Sequence, residues 1–269
     1  MKRIVFPTDF SDTSRNALKY AIALAADLKA KVDIVTVYHI PMIDVSHTPP
    51  ELIHRMTDEK RIETERELKA LYEAFDCPQL GDCHALYGVF TPQEITDFVA
   101  DNKYDLIVMG TRSEHGRLDR MIGSVTTQTM MNATVPVLAV PADASYKKIG
   151  QIAYATDFRP EDGPTVSQLM EFAGFFKADI HFVHVETHPE VGEMDGVINV
   201  ADYPVAFADF SIVNSASIQE GLDRFVQDLD VDLLAMFIPR RRLWERLFHT
   251  SLTRKMTYNS TIPLLVFHQ

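Results

Sequence analysis

The chain has 269 residues, enough for one large domain or two modest ones, and its 46% hydrophobic and 24% charged content is that of a globule able to bury a sizeable core, unlike a disordered or fibrous chain. Acidic residues outnumber basic ones 38 to 26, a net charge of −12, so the chain as a whole repels polyanions: no nucleic-acid partner and no anionic membrane partner is expected. Cys77 and Cys83 are the only cysteines, which excludes a disulfide-dense scaffold and a paired CxxC zinc pattern; with no stretch near the ~20 apolar residues of a membrane span, a cytoplasmic protein with two free thiols is expected.

In chain order, an apolar run over Ile4 to Phe6, a polar turn from Pro7 to Thr13, a helical stretch and a second apolar run from Val32 to Val37 make one β-α-β unit. Ala17, Leu18, Ala21, Ile22, Ala25 and Leu28 recur at helical spacing, and Ser11 or Asp12 is placed to cap the helix. A charged helix follows from about Glu51 to Phe75, then a short strand near His84 to Tyr87 that ends at Gly88. Thr91-Pro92-Gln93-Glu94 reads as a capping box with proline at the first helical position. Leu106 to Met109 predicts a buried strand, Gly123-Ser124 opens a helix to Asn132, and Val137 to Val140 is the fifth strand.

The second half repeats the first. Ala155-Thr156-Asp157-Phe158 matches Pro7-Thr8-Asp9-Phe10 at an offset of 148, and Val183-His184-Val185 matches Val35-Thr36-Val37 at the same offset. Asp232-Leu233, Ser251-Leu252-Thr253 and Ile262-Pro263 match Asp105-Leu106, Ser124-Val125-Thr126 and Val135-Pro136 at an offset of 127. The difference of 21 is a deletion that removes most of the counterpart of the charged helix. Ordered matches with one indel indicate a duplication. The boundary falls near Asp143 to Lys148, giving copies over 1–143 and 147–269. Five strands alternating with helices in each copy predict an α/β fold of two tandem doubly wound domains, each with a five-stranded parallel sheet. Ligands of such sheets sit beyond the carboxyl ends of the strands.

Those ends carry Pro7-Thr8-Asp9, the Val37 to His39 segment, Gly88, and the loop from Gly110 to Ser124, GTRSEHGRLDRMIGS. Three glycines and several hydroxyls before a helix start suit exposed amides and an anion, phosphate being the natural guest; a plain surface loop is the other reading of that composition. The spacing fits neither GxxxxGK[ST] nor GxGxxG. His181, His184 and His188 do not make a metal site, because on a strand the first two point to opposite faces. No GxSxG elbow, HExxH pair or Cys/His arrangement is present, so neither catalytic nor metal-ligating residues are assigned.

PTDFS after the first strand, the Gly110 to Ser124 loop, and VPVLAVP closing the copy resemble the universal stress protein family, and the repeat makes the chain similar to its tandem class. The resemblance implies an adenine nucleotide alpha hydrolase-like fold, a stress-response role, and, in nucleotide-binding members, a loop of the form G, two residues, G, nine residues, G, then Ser or Thr. Gly110, Gly123 and Ser124 fit that form, whereas the middle glycine is Ser113 here, with Gly116 three positions on. It implies ATP, ADP or AMP, with or without magnesium, in the first copy. Pro7, Thr8, Asp9 and Val37 would then line the base and ribose side, and Met109, Gly110, Thr111, Arg112, Ser113, Gly116, Gly123, Ser124, Val125 and Thr126 the phosphate side. In the second copy Phe237, Arg240 and Thr250 stand where Gly110, Ser113 and Gly123 do, so the glycine cradle is gone, while Arg240, Arg241, Arg242, Arg246 and Trp244 crowd the loop. The resemblance also implies that domains pair through their last strands, Val137 to Val140 and Leu264 to Phe267, as an internal pseudo-dimer that leaves room for a homodimer. A nucleotide-responsive regulatory protein with protein partners of unspecified identity is the reading. A nucleotide-independent interaction module is the rival. A slow ATPase, with Asp9 and His115 beside a phosphate, is a third reading for which the sequence offers no evident base.

Overall fold

Arg3–Pro7 forms strand β1, buried from Ile4 onward, and the periodic stretch behind it forms helix α1 over Asp12–Leu28. Ser11 is the N-cap of α1, its hydroxyl accepting from the Ser14 amide at 3.2 Å, and Ala17, Leu18, Ala21, Leu24, Ala25 and Leu28 are buried. Strand β2 (Lys31–Tyr38), helix α2 (Pro50–Phe75), strand β3 (Leu80–Tyr87), helix α3 (Thr91–Asn102), strand β4 (Leu106–Gly110), helix α4 (Ser124–Asn132) and strand β5 (Val137–Val140) follow. The second half supplies β6 (Gln151–Ala155), α5 (Gly163–Phe176), β7 (Asp179–Glu186), β8 (Asp209–Asn214), α6 (Ile218–Asp228), β9 (Leu233–Ile238) and β10 (Leu264–His268). This computed structural model describes residues 1–40, 49–111, 122–156, 163–187, 209–238 and 262–268.

Two local expectations need correction. The third strand starts at Leu80, earlier than the His84 to Tyr87 run, because pairing with β2 already begins at Val32 opposite Leu80. The Thr91 to Glu94 capping box does not form: Phe90 takes the N-cap place, Thr91 is the first helical residue, and Pro92 is the second. The Thr91 hydroxyl bonds His39 Nε2 at 3.1 Å instead, and the Glu94 side chain folds over Gly88, so that a Cβ there would lie 2.2 Å from Glu94 Cγ.

The duplication is visible bond by bond. Asp105 accepts from the amides of Lys2 and Arg3 at 2.6 and 3.0 Å; its counterpart Asp232 accepts from Gly150 and Gln151 at 2.8 and 3.0 Å. Lys29 and Lys177 share left-handed backbone at φ 52° and 57°, as do Lys103 and Asp230 at 54° and 48°. The Thr8 amide donates to Val35 and the Thr156 amide to Val183. These pairs are the offsets of 148 and 127 realised in backbone geometry.

The two five-stranded parallel sheets continue into one ten-stranded sheet, in the order β3-β2-β1-β4-β5-β10-β9-β6-β7-β8. Their seam is the antiparallel pair β5 and β10, with Leu264 opposite Ala139, Leu265 opposite Leu138 and Val266 opposite Val137, which satisfies both edges within one chain. Helices α1, α2 and α5 pack on one face and α3, α4 and α6 on the other, and each face's core runs across the seam. The connection from β5 to β6 is docked along α1: Asn16 donates to the carbonyls of Ala142 and Ala144 at 2.8 and 2.9 Å, and the Tyr146 hydroxyl donates to Asp27 at 2.6 Å. Helix α2 covers β2 and β3 in the first half. In the second, Phe210 and Ile212, the counterparts of Cys83 and Ala85, stay exposed at 36% and 43%. Among the described residues no helix is long and apolar enough to cross a membrane.

A buried polar network ties the amino ends of the first three strands, and nothing in the sequence patterns announced it. Asp33 accepts from Arg3 Nη2 at 2.9 Å, from the Tyr104 hydroxyl at 2.8 Å and from the Asp82 amide at 2.9 Å. The Arg3 guanidinium also lies 4.3 Å from the centre of the Tyr104 ring. Burial alone would push the Asp33 carboxyl up, but these donors together hold it below the ordinary range, while burial and Asp33 push the Tyr104 phenol up. In the second half Gln151 and His181 occupy the places of Arg3 and Asp33 and bond each other.

Candidate functional site at the strand ends

The crossover helices leave β1 and β4 toward opposite faces, and β1 lies between β2 and β4, so the crevice beyond the carboxyl ends opens at that switch point. Its first wall is the turn after β1. Pro7 and Thr8 are buried and Asp9 is exposed. The Thr8 hydroxyl accepts from the Phe10 amide at 3.0 Å and meets Ser14 Oγ at 2.8 Å, while Asp9 Oδ1 accepts from the Ser11 amide at 3.1 Å and the Ser11 hydroxyl at 2.6 Å. Together these bonds hold Phe10 at φ 63°, a conformation that costs a non-glycine residue on the order of 1–3 kcal/mol and clusters at ligand sites. Asp9 thus has a carboxylate oxygen committed to the turn and faces solvent with the rest.

The second wall is the free edge of β2. Pairing of β1 with β2 ends at Pro7 opposite Val35, whereas β2 runs on to Tyr38. The Val35 carbonyl faces β1, and so, two residues on, do the amide and carbonyl of half-buried Val37, beyond the last residue of β1. A planar ring with a donor beside an acceptor matches such an edge. His39 braces the rim, donating from Nδ1 to the Gly88 carbonyl and accepting at Nε2 from Thr91.

Met109 and Gly110 end β4, and Thr111 follows it. Met109 is buried in the core, which leaves only its backbone to a ligand. Gly110 lies so close to α1 that a Cβ would stand 3.3 Å from Ala17 Cβ and 3.4 Å from the Thr13 carbonyl, and the Thr111 amide is taken by Val140. Opposite them α4 begins at Ser124 with Gly123 as N-cap and no side-chain cap, and Ser124 and Val125 are exposed. The first amides of a helix have no partner within it and carry its positive dipole end, which is chemistry suited to an anion. Thr126 is buried and its hydroxyl donates to the Gly110 carbonyl at 3.1 Å, a brace between α4 and β4.

Of the residues expected to act together, Thr8, Asp9, Val37, Gly110, Thr111, Gly123, Ser124, Val125 and Thr126 all lie at this end of β1, β2 and β4 or at the start of α4. Arg112, Ser113 and Gly116 lie outside the described residues, as do Asp157 and the arginines and tryptophan of the second loop. Sequence reading missed Ser14, for which a helix-facing serine three places beyond a cap was the available signal, and gave no role to Phe10 or His39, which it placed at the strand ends. The second half keeps the strand edge, since β7 runs on to Glu186 past the Ala155 to Val183 pairing. It does not keep the close approach at Gly110, because Phe237 stands there and even a methyl group would crowd α1 in the first-half arrangement.

The fold and this crevice define a duplicated doubly wound α/β protein with a strand-end site beside a helix start that has no side-chain cap among the described residues. The universal stress protein family matches residues 1–141, just over half of the chain, and the chain belongs to that family. A universal stress protein of Methanocaldococcus jannaschii is 36% identical over 146 residues, which cover 52% of this chain and 81% of that one. A second from the same organism is 26% identical over 160 residues, with 52% and 94% covered. The crystal structure of a universal stress protein from Archaeoglobus fulgidus aligns with 99% of this chain and 96% of its own at a TM-score of 0.66 and 17% identity, a likeness of fold.

Proposed function

We propose that the chain is a nucleotide-responsive regulatory protein of the cytoplasm, with two tandem domains over 1–143 and 147–269, whose first domain binds one adenine nucleotide and whose second is a degenerate structural partner. The observation that carries this reading is the start of α4: a glycine N-cap without a side-chain cap, exposed Ser124 and Val125, and a brace from Thr126 to Gly110. The Val37 edge would bond the adenine ring, Asp9 the ribose, and the amides of Ser124 to Thr126 with the Gly110 loop the phosphates. ATP, ADP and AMP share these features, and magnesium would ride on the phosphates and supply charge neutralisation there. Regulation through occupancy is the function that this arrangement would serve.

Ser113 in place of the family glycine favours a second reading, an interaction module that needs no nucleotide. Mass spectrometry of small molecules released from freshly purified, denatured protein separates the two. An adenine nucleotide at about one per chain supports the first reading. Its absence, with no binding of added ATP, AMP or adenosine in calorimetry, supports the second.

A further inference from the structure

An α-helix leaves its last four carbonyls without partners inside the helix. In α4 these belong to Thr129, Met130, Met131 and Asn132; the Thr129 carbonyl accepts from the Ala133 amide at 2.9 Å, closing the last turn. The Met130 carbonyl is taken by a side chain from the far end of the sequence, the Nε2 of His268, 138 positions away. His268 ends β10 and belongs to the second half, it is buried, and Leu264 and Val266 of its strand share a core with Met130 and Ala133. Helix α4 is therefore held at its amino end by Thr126 on Gly110 and at its carboxyl end by the imidazole of the other half.

We propose that His268 is a positioning residue for the phosphate seat: the half without a glycine loop fixes the helix whose first amides receive the phosphates. This inference rests on the nucleotide reading above and assigns a task to the second domain within it. His268 would act by preorganisation. Nine residues of helix span only ~14 Å, so a rigid α4 transmits a shift at Met130 to the amides of Ser124 to Thr126, and seats for charged groups lose affinity when their donors are free to wander. The Val37 edge and Asp9 belong to β2 and the β1 turn and are not held by α4, so the base and ribose side is independent of His268.

The test is calorimetric titration of the full chain with ATP and with adenosine, in wild type, His268→Leu, His268→Phe and His268→Gln. Leucine and phenylalanine fill the buried place without a donor, whereas the glutamine amide can still donate to the Met130 carbonyl. ATP affinity is expected to fall about fivefold in the leucine and phenylalanine variants, the usual worth of one hydrogen bond, with adenosine affinity unchanged and the glutamine variant close to wild type. Equal weakening of both ligands, no change in either, or failure of glutamine to restore ATP binding overturns the positioning role. So does loss of folding in both apolar variants with glutamine folded, which would make His268 a support of the seam as a whole. A wild type that binds neither ligand sinks the nucleotide reading and this inference with it, whereas phosphate-dependent binding that His268→Leu leaves intact sinks the inference alone.

Discussion

Replacing Asp33 by Asn separates what holds the fold from what binds. The carboxylate side chain is only 7% exposed and accepts three bonds, of which the Arg3 pair counts least because the arginine side chain is 45% exposed and its charge is screened. Bonds from Tyr104 and from the Asp82 amide to a buried carboxylate contribute about 1.5–3 kcal/mol each. Asparagine keeps one acceptor oxygen and turns an amino group toward donors that need an acceptor, so a loss of about 3 kcal/mol is expected at pH 7, read from the urea midpoint at constant slope. The pH dependence has a definite sign. The folded-state pKa of Asp33 is depressed, so its contribution is complete above the unfolded value of roughly 3.9 and is lost as pH falls through the lower folded value. The gap between wild type and Asp33→Asn is therefore expected to be constant from pH 7 to pH 5 and to narrow below about pH 4. A loss under ~1 kcal/mol, or a gap that persists undiminished at pH 3, would refute the network's assigned role. Nucleotide affinity is expected to be unchanged, because the network lies at the amino ends of the strands and the crevice at the carboxyl ends.

Thr126→Val removes the donor to Gly110 without changing shape, and is expected to weaken ATP by about fivefold and adenosine little, by titration calorimetry. Ser113→Gly is expected to tighten ATP and leave adenosine alone if the serine Cβ crowds the phosphates; equal changes for both would remove the Gly110 to Ser124 loop from the phosphate side. Residues 1–143 expressed alone leave the β5 edge, Val137–Val140, without its β10 partner, and light scattering is expected to show a dimer; a stable soluble monomer would contradict the pairing argument.

Much of the architecture was legible because it repeats. Two offsets located the second-half counterparts of the first, second, fourth and fifth strands, and the bonds of Asp105 and Asp232 show why those residues match: each closes the start of the first strand of its copy. The helix starts at Ser11 and Gly123-Ser124 were legible from local chemistry. The capping box at Thr91 was not, since His39 and Gly88 compete for its two polar side chains through contacts 52 and 6 positions away that no local pattern encodes. For the same reason the Asp33 network and His268 were invisible: their partners are distant in sequence, and a polar residue in an apolar strand reads only as an interruption until its donors are placed. Of the candidate site, the sequence named the strand ends and the helix start, while the turn that holds Phe10 and the brace from Thr126 required coordinates.

One half of the duplicated chain is proposed to bind one adenine nucleotide. Native mass spectrometry of the full chain titrated with ATP counts the bound molecules directly, and Asp9→Ala beside Asp157→Ala assigns them to a half. One ATP per chain is expected, weakened by Asp9→Ala and untouched by Asp157→Ala; two equivalent ATP molecules, none, or sensitivity to Asp157 alone would contradict it.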